Sequence, residues 1–145
     1  MKKLLAISMM VIMIFTFTAC SDENNDNSSA ASVVATVVVA GEKEEAVDVD
    51  ITGEALDEGL FSVLKKGNIS YEEEGGFMTA VGSISQNTET GEYIYIYTSN
   101  EKDFDVSEYK TEVTYNGKTL VSSGVGAKDM TIEDGTVIYI TLIKF

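Results

Sequence analysis

Between residues 33 and 51 the apolar positions first crowd together and then alternate. Val33 to Val39 is a β-branched run interrupted only by Ala35. From Ala46 to Ile51, Val47, Val49 and Ile51 fall on one face and Asp48 and Asp50 on the other. A strand that buries one face shows this period of two, and Gly41 with Glu42 and Lys43 supplies a turn, so the segment predicts a β-hairpin. The period then changes. Leu56, Leu60, Val63 and Leu64 recur at i, i+4, i+7 and i+8, which makes one apolar helical face. Thr52 is placed to cap this helix at its N-terminus, with Glu54, Asp57 and Glu58 near the positive end of the helix dipole. Lys65 and Lys66 suit the opposite end, and Gly67 suits the C′ position. Gly59 falls inside the span, where it costs about 1 kcal/mol relative to Ala.

The rest of the domain reads mostly as strand. Phe77 to Ser85 follows the turn Glu74-Gly75-Gly76, and Tyr93 to Thr98 alternates strictly. Glu112 to Tyr115 and Thr119 to Ser122 flank Asn116-Gly117, a strong hairpin signal because both turn residues tolerate positive φ. Thr136 to Lys144 forms the last strand. A hairpin, one helix and several later strands predict an α+β fold: a β-grasp-like mixed sheet of hairpins with one helix packed across one face.

The first residues follow a different rule. Lys2 and Lys3 precede an apolar stretch from Leu4 to Phe17, and Phe17-Thr18-Ala19-Cys20 closes it. A basic start, a short apolar core and small residues before a Cys mark residues 1–19 as a lipoprotein signal peptide. Cys20 would then carry the lipid and become the first mature residue. Each lipid CH₂ buried contributes about 0.8 kcal/mol, so two or more chains give a stable membrane anchor. Residues 20–32 are the lipidated Cys and an acidic, Ser- and Asn-rich stretch without a large apolar side chain, which reads as a flexible linker. Residues 33–145 form the domain, and the expected location is the outer side of the cell membrane.

Charge narrows the function. Ten Lys and Arg stand against 24 Asp and Glu, for a net charge of -14. Such a surface repels phosphate, which argues against a nucleic-acid partner. The chain has no His and one Cys. That removes the usual hydrolytic triads, most zinc sites and any internal disulfide. No Ser-Lys motif stands in for them, so the expectation is a protein that is not an enzyme and holds no metal.

The order of motifs resembles that of a bacterial domain family of unknown function whose members look like the C-terminal domain of transcobalamin. The likeness rests on the Val-rich hairpin and the segment Ala55-Leu56-Asp57-Glu58-Gly59-Leu60-Phe61-Ser62-Val63-Leu64. It continues through Ile69-Ser70-Tyr71-Glu72, then Gly76-Phe77-Met78-Thr79-Ala80-Val81-Gly82-Ser83-Ile84, then Gly91-Glu92-Tyr93-Ile94-Tyr95-Ile96-Tyr97. Gly124-Val125-Gly126 and the acidic turn Glu133-Asp134-Gly135 close it. The family usually carries Trp where this chain has Ile94, and Gly-Asp where it has Gly135-Thr136. Residues 101–122 exceed the family's usual connection and predict an added hairpin. The resemblance implies a non-catalytic binding module for a corrinoid-like or other small ligand. Relatives of this kind also serve as cell-surface modules that meet a cell-envelope protein or polysaccharide.

Candidate contacts follow from the aromatic residues. Tyr93, Tyr95 and Tyr97 share one strand face, with Ile94 and Ile96 on the other. Phenol rings with a polar tip suit flat or sugar-like ligands, so these three and Phe77 are the candidate ligand contacts. The same stripe also fits cross-strand packing beneath the added hairpin. Asp103 and Asp105 alternate as calcium-loop acids do, but lack the Gly and the bidentate Glu of an EF-hand. Glu72 to Glu74 read as a solvated loop. A small-ligand module predicts a concave aromatic site, whereas an interaction module predicts a flat face or an open strand edge.

Overall fold

The computed structural model describes residues 31–145. The expected signal peptide, Cys20 and nearly all of the linker lie outside the described residues. Among the described residues nine strands and one α-helix follow one another: β1 (Val34–Ala40), β2 (Glu44–Asp50), α1 (Leu60–Lys66), β3 (Tyr71–Glu74), β4 (Phe77–Val81), β5 (Ile84–Ser85), β6 (Glu92–Thr98), β7 (Glu112–Tyr115), β8 (Lys118–Ser122) and β9 (Val137–Lys144). The α+β class is therefore observed, dominated by sheet.

Six strands form the main sheet in the order β2-β1-β9-β6-β8-β7, and β3-β4-β5 form a smaller one. The β1–β9 pair is parallel, and the other neighbours are antiparallel. The alternation of β1 explains why both faces of the main sheet are apolar. Ala35, Val37 and Val39 join the core under α1, together with Leu60, Val63 and Leu64, while Val38 points to the opposite face. β9 divides likewise, with Ile138 and Ile140 toward the helix and Val137 and Tyr139 away from it.

The helix is shorter than its periodicity predicts. It begins at Leu60, after Gly59 with φ 51° and ψ -123°. A Cβ on Gly59 would lie 2.6 Å from the Lys128 carbonyl oxygen and 2.7 Å from that of Ala127. The close approach of that loop requires glycine there and starts the helix beyond it. Thr52 is consequently no helix cap. Its hydroxyl accepts from the Val33 amide (2.8 Å) and donates to Asp50 Oδ1 (2.6 Å), closing the base of the β1–β2 hairpin. At the other end the left-handed residue is Asn68, with φ 52°, rather than Gly67. The Ile69 amide donates to Leu64 O and the Asn68 amide to Lys65 O, the paired bonds of a Schellman motif with Asn68 at C′.

At about 1.5 Å per residue, seven helical residues span roughly 10 Å, too little to cover a six-stranded sheet. The small sheet covers the remainder. Met78, Val81 and Ile84 complete the helix-side core. The strand expected over Phe77 to Ser85 is in fact β4 and β5, joined by a turn at Gly82, which has φ 53°. The added hairpin is present as β7–β8, with Asn116 and Gly117 both at positive φ. It folds over the far face of the main sheet, where Leu120, Val38, Tyr97 and Val137 make a second apolar cluster.

Candidate functional site

The tyrosines of β6 alternate as expected, but they do not form one free stripe. Ile94 and Ile96 pack against the helix-side core. Tyr97 is buried in the second cluster, and the Thr111 hydroxyl donates to its Oη at 3.2 Å. Tyr95 is half-buried and meets Tyr97 edge-on, with ring centroids 5.3 Å apart. Tyr139 from β9 extends this ring cluster to Tyr97 and Tyr115, at 6.4 and 6.1 Å. Tyr93 is exposed and leans on Phe145, at 6.0 Å. The expected outward face thus ends after Tyr95, because the β7–β8 hairpin covers the last tyrosine.

Where β8 stops beside β6, a cleft of about 590 Å³ opens between β4, β6 and the 123–127 loop. Phe77, Tyr93 and Tyr95 line it, with Met78 and Val125. Three of the four aromatic candidates therefore line one cleft, and Tyr97 lies outside its lining. Phe77 is 77% exposed, so its ring is held by neither sheet. The two-residue Gly75-Gly76 turn places it at the start of β4. The size lies within the range of small-molecule sites, and the lining combines aromatic rings with the polar side chains of Glu74, Thr79, Gln86 and Ser123. Gly124 and Val125 carry no chemical signal in the sequence that would assign them to a site. Their loop forms the third wall because the Gly124 amide donates to Asp103 O at 2.8 Å.

A second hollow of about 530 Å³ lies between Asn100–Lys102, Lys118 and Glu133–Thr136. Most of its charged groups are already engaged: Lys102 pairs with Glu133, Lys118 Nζ donates to Gly135 O at 3.2 Å, and Asp134 Oδ1 accepts from the Val34 amide at 2.9 Å. It offers no aromatic surface.

The acidic candidates take structural places. Asp103 is buried, and its Oδ2 accepts from the Thr131 amide at 2.7 Å. Asp105 Oδ1 accepts from the Ser107 amide at 2.8 Å, which holds its carboxyl below the usual range. Among the described residues no three of His, Cys, Asp or Glu gather as a metal centre. No helix among the described residues is long and apolar enough to cross a membrane.

No protein-family model matches the chain. No curated protein sequence matches it. Two solved structures are similar in fold. A candidate metal-binding protein from Ruminococcus gnavus matches 79% of this chain and 97% of its own, at a TM-score of 0.50 and 17% identity. Haptocorrin, solved in complex with Cbi, matches 79% of this chain at a TM-score of 0.52 and 12% identity. The match covers 26% of haptocorrin, so the chain corresponds to about a quarter of that protein. At these identities the likeness is one of architecture. It supports the distant resemblance to transcobalamin-like proteins.

Proposed function

We propose that this chain is a membrane-tethered, non-catalytic binding module on the outer side of the membrane. Its ligand site is the cleft of Phe77, Tyr93 and Tyr95. The observation that carries this reading is that they line one cleft at the open edge of β6, Phe77 from the small sheet and Tyr93 and Tyr95 from the main one. Cys20, with the basic and apolar residues before it, supports lipid anchoring and extracytoplasmic residence. A β-grasp arrangement is supported by the β1–β2 hairpin, the helix that follows it, and β9 lying between β1 and β6 and parallel to β1. The absence of His from the sequence supports a role without acid–base catalysis.

The ligand class proposed is corrinoid-like. Its basis is the likeness to haptocorrin in complex with Cbi. A whole corrinoid, ring and amide side chains together, is larger than a cleft of about 590 Å³, so this domain would hold one side of it, with Phe77 and Tyr93 at the contact.

Calorimetric titration of the purified protein with a panel of corrinoids at physiological salt tests the reading. A saturable heat is expected, and Phe77→Ala weakens affinity by about tenfold, the scale of one lost aromatic contact. Because Phe77 is so exposed, the variant changes stability by less than about 0.5 kcal/mol. Affinity unchanged from the wild type in both Phe77→Ala and Tyr93→Ala removes the cleft as the site. Silence from every corrinoid removes the ligand class. Anchoring has its own test: labelling cells with radioactive palmitate should mark the protein, and Cys20→Ser should abolish the label.

A further inference from the structure

β6 is paired along its length with β9, but on its other side β8 covers only Tyr97 and Thr98. Two further bonds show which peptide groups face that side. The Ser123 amide donates to Ile96 O at 2.8 Å, and Asn87 exchanges both main-chain bonds with Glu92, at 2.8 and 2.9 Å. Successive residues of an antiparallel strand alternate in direction, so Glu92, Ile94, Ile96 and Thr98 face outward from β9. Between the two anchored ends, the Ile94 N–H, the Ile94 C=O and the Ile96 N–H have no hydrogen-bond partner among the described residues. This gap opens into the cleft.

Three other strand edges are guarded. The outer strand β2 carries Glu44, Glu45, Asp48 and Asp50, β3 carries Glu72 to Glu74, and β7 is short and carries Glu112. Charges of this kind prevent edge-to-edge pairing. The Ile94–Ile96 edge has no such guard. Phe77, Tyr93 and Val125, all exposed apolar side chains, flank it instead. Glu74 stands at the rim and no Lys lines the cleft, so the local field favours positive charge.

We infer that this gap accepts an extended peptide segment as a short antiparallel strand, with an apolar residue between basic ones. The inference rests on the cleft being the binding site and names a polypeptide partner for it. The residue opposite Ile94 gives its N–H to the Ile94 carbonyl and accepts from the Ile94 N–H. Ser123 holds the place opposite Ile96 and Asn87 the place opposite Glu92, so the added strand is three residues long and its ends turn out of the sheet there. Three residues of strand span about 10 Å. The central side chain then shares the Ile94 face beside Phe77, and its neighbours lie over Tyr93 and Tyr95. A basic residue beyond the strand meets Glu74 at the rim. Main-chain bonds supply affinity in such strand addition, and alternate side chains supply selectivity.

The test is NMR titration of the ¹⁵N-labelled full chain with acetyl-Lys-Thr-Val-Thr-Lys-amide at physiological salt. The Ile94 amide proton should move downfield saturably, and its exchange with solvent should slow by about tenfold. N-methylation of the central Val should weaken binding by about tenfold, the scale of one main-chain bond and the contact it carries. N-methylation of a neighbouring Thr, whose N–H points away, should leave binding unchanged. No saturable shift at Ile94, or equal binding by the two methylated peptides, overturns the inference. An Ile94 amide already protected in the free protein also overturns it, because another part of the chain or a second copy then fills the gap. A corrinoid that binds while the peptide does not removes this inference and leaves the cleft as a site. Failure of both ligands removes both.

Discussion

Gly59 shows how one residue can set the start of an element. Its φ of 51° with ψ of -123° belongs to a region that other residues avoid, and two carbonyl oxygens occupy the place of a Cβ. Gly59→Ala should therefore lower stability by about 2–4 kcal/mol in urea denaturation. Gly53 has φ 71°, but a Cβ there would meet nothing within 4 Å, so Gly53→Ala should cost only about 1 kcal/mol. Equal losses would mean that backbone strain, rather than the contact with the 127–128 loop, dominates at Gly59. Tyr139 makes a different residue-scale case. Burial raises its phenol above the usual value, and the hydrogen bond to Glu44 Oε2 at 3.2 Å and the Glu44 charge raise it further. The fold thus favours the neutral phenol. Its contribution to stability is fully present below the ordinary tyrosine pKa near 10 and is lost as pH rises through the folded value. In alkaline absorbance titration at 295 nm, Tyr139→Phe should delete a late-titrating phenol. Loss of an ordinary one would show that burial is not the controlling effect.

Elements were legible where local chemistry decides them. Asn116-Gly117 needs positive φ at both turn positions and supplies it, so the β7–β8 hairpin lies where the sequence predicts it. The alternation of β6 likewise assigns Ile94 and Ile96 to one face and the tyrosines to the other. What covers each face was not legible, because the covering pieces are distant in the chain. The helix start depends on carbonyls at 127 and 128, and the burial of Tyr97 depends on a hairpin more than a dozen residues later. The cleft was legible only as separate aromatic residues. Its walls come from β4, β6 and the 123–127 loop, and only the end of β8 leaves the space between them. The hairpin's role as a lid on the second cluster gives a direct expectation. Leu120 is fully buried there, so Leu120→Ala should cost about 2–5 kcal/mol in chemical denaturation. A loss near zero would show that β7–β8 is a dispensable appendage rather than part of the core.

For the molecule as a whole, charge is spread in a way that opposes compactness and discourages self-association. The net charge of -14 places many carboxylates on outer edges and loops, where acids on β2 and β3 keep copies from pairing. Among the described residues the compensating ion pairs are few and exposed. Lys65 pairs with Glu58, Lys66 with Glu54, Lys102 with Glu133, and Lys110 with Glu112 at 3.6 Å. Exposed pairs of this kind contribute little, whereas the summed repulsion acts across the whole surface. Salt screens both, but the repulsion is larger in number and longer in range. Raising ionic strength from about 0.01 to about 0.1 M shortens the Debye length from roughly 30 to roughly 10 Å. The melting temperature should therefore rise with NaCl over this interval, by roughly 4 °C for each kcal/mol of relieved repulsion. Differential scanning calorimetry checks the sign. A fall in melting temperature would mean that the four lysine–carboxylate pairs outweigh the repulsion, and that the acidic edges are held in a balanced network rather than left to repel.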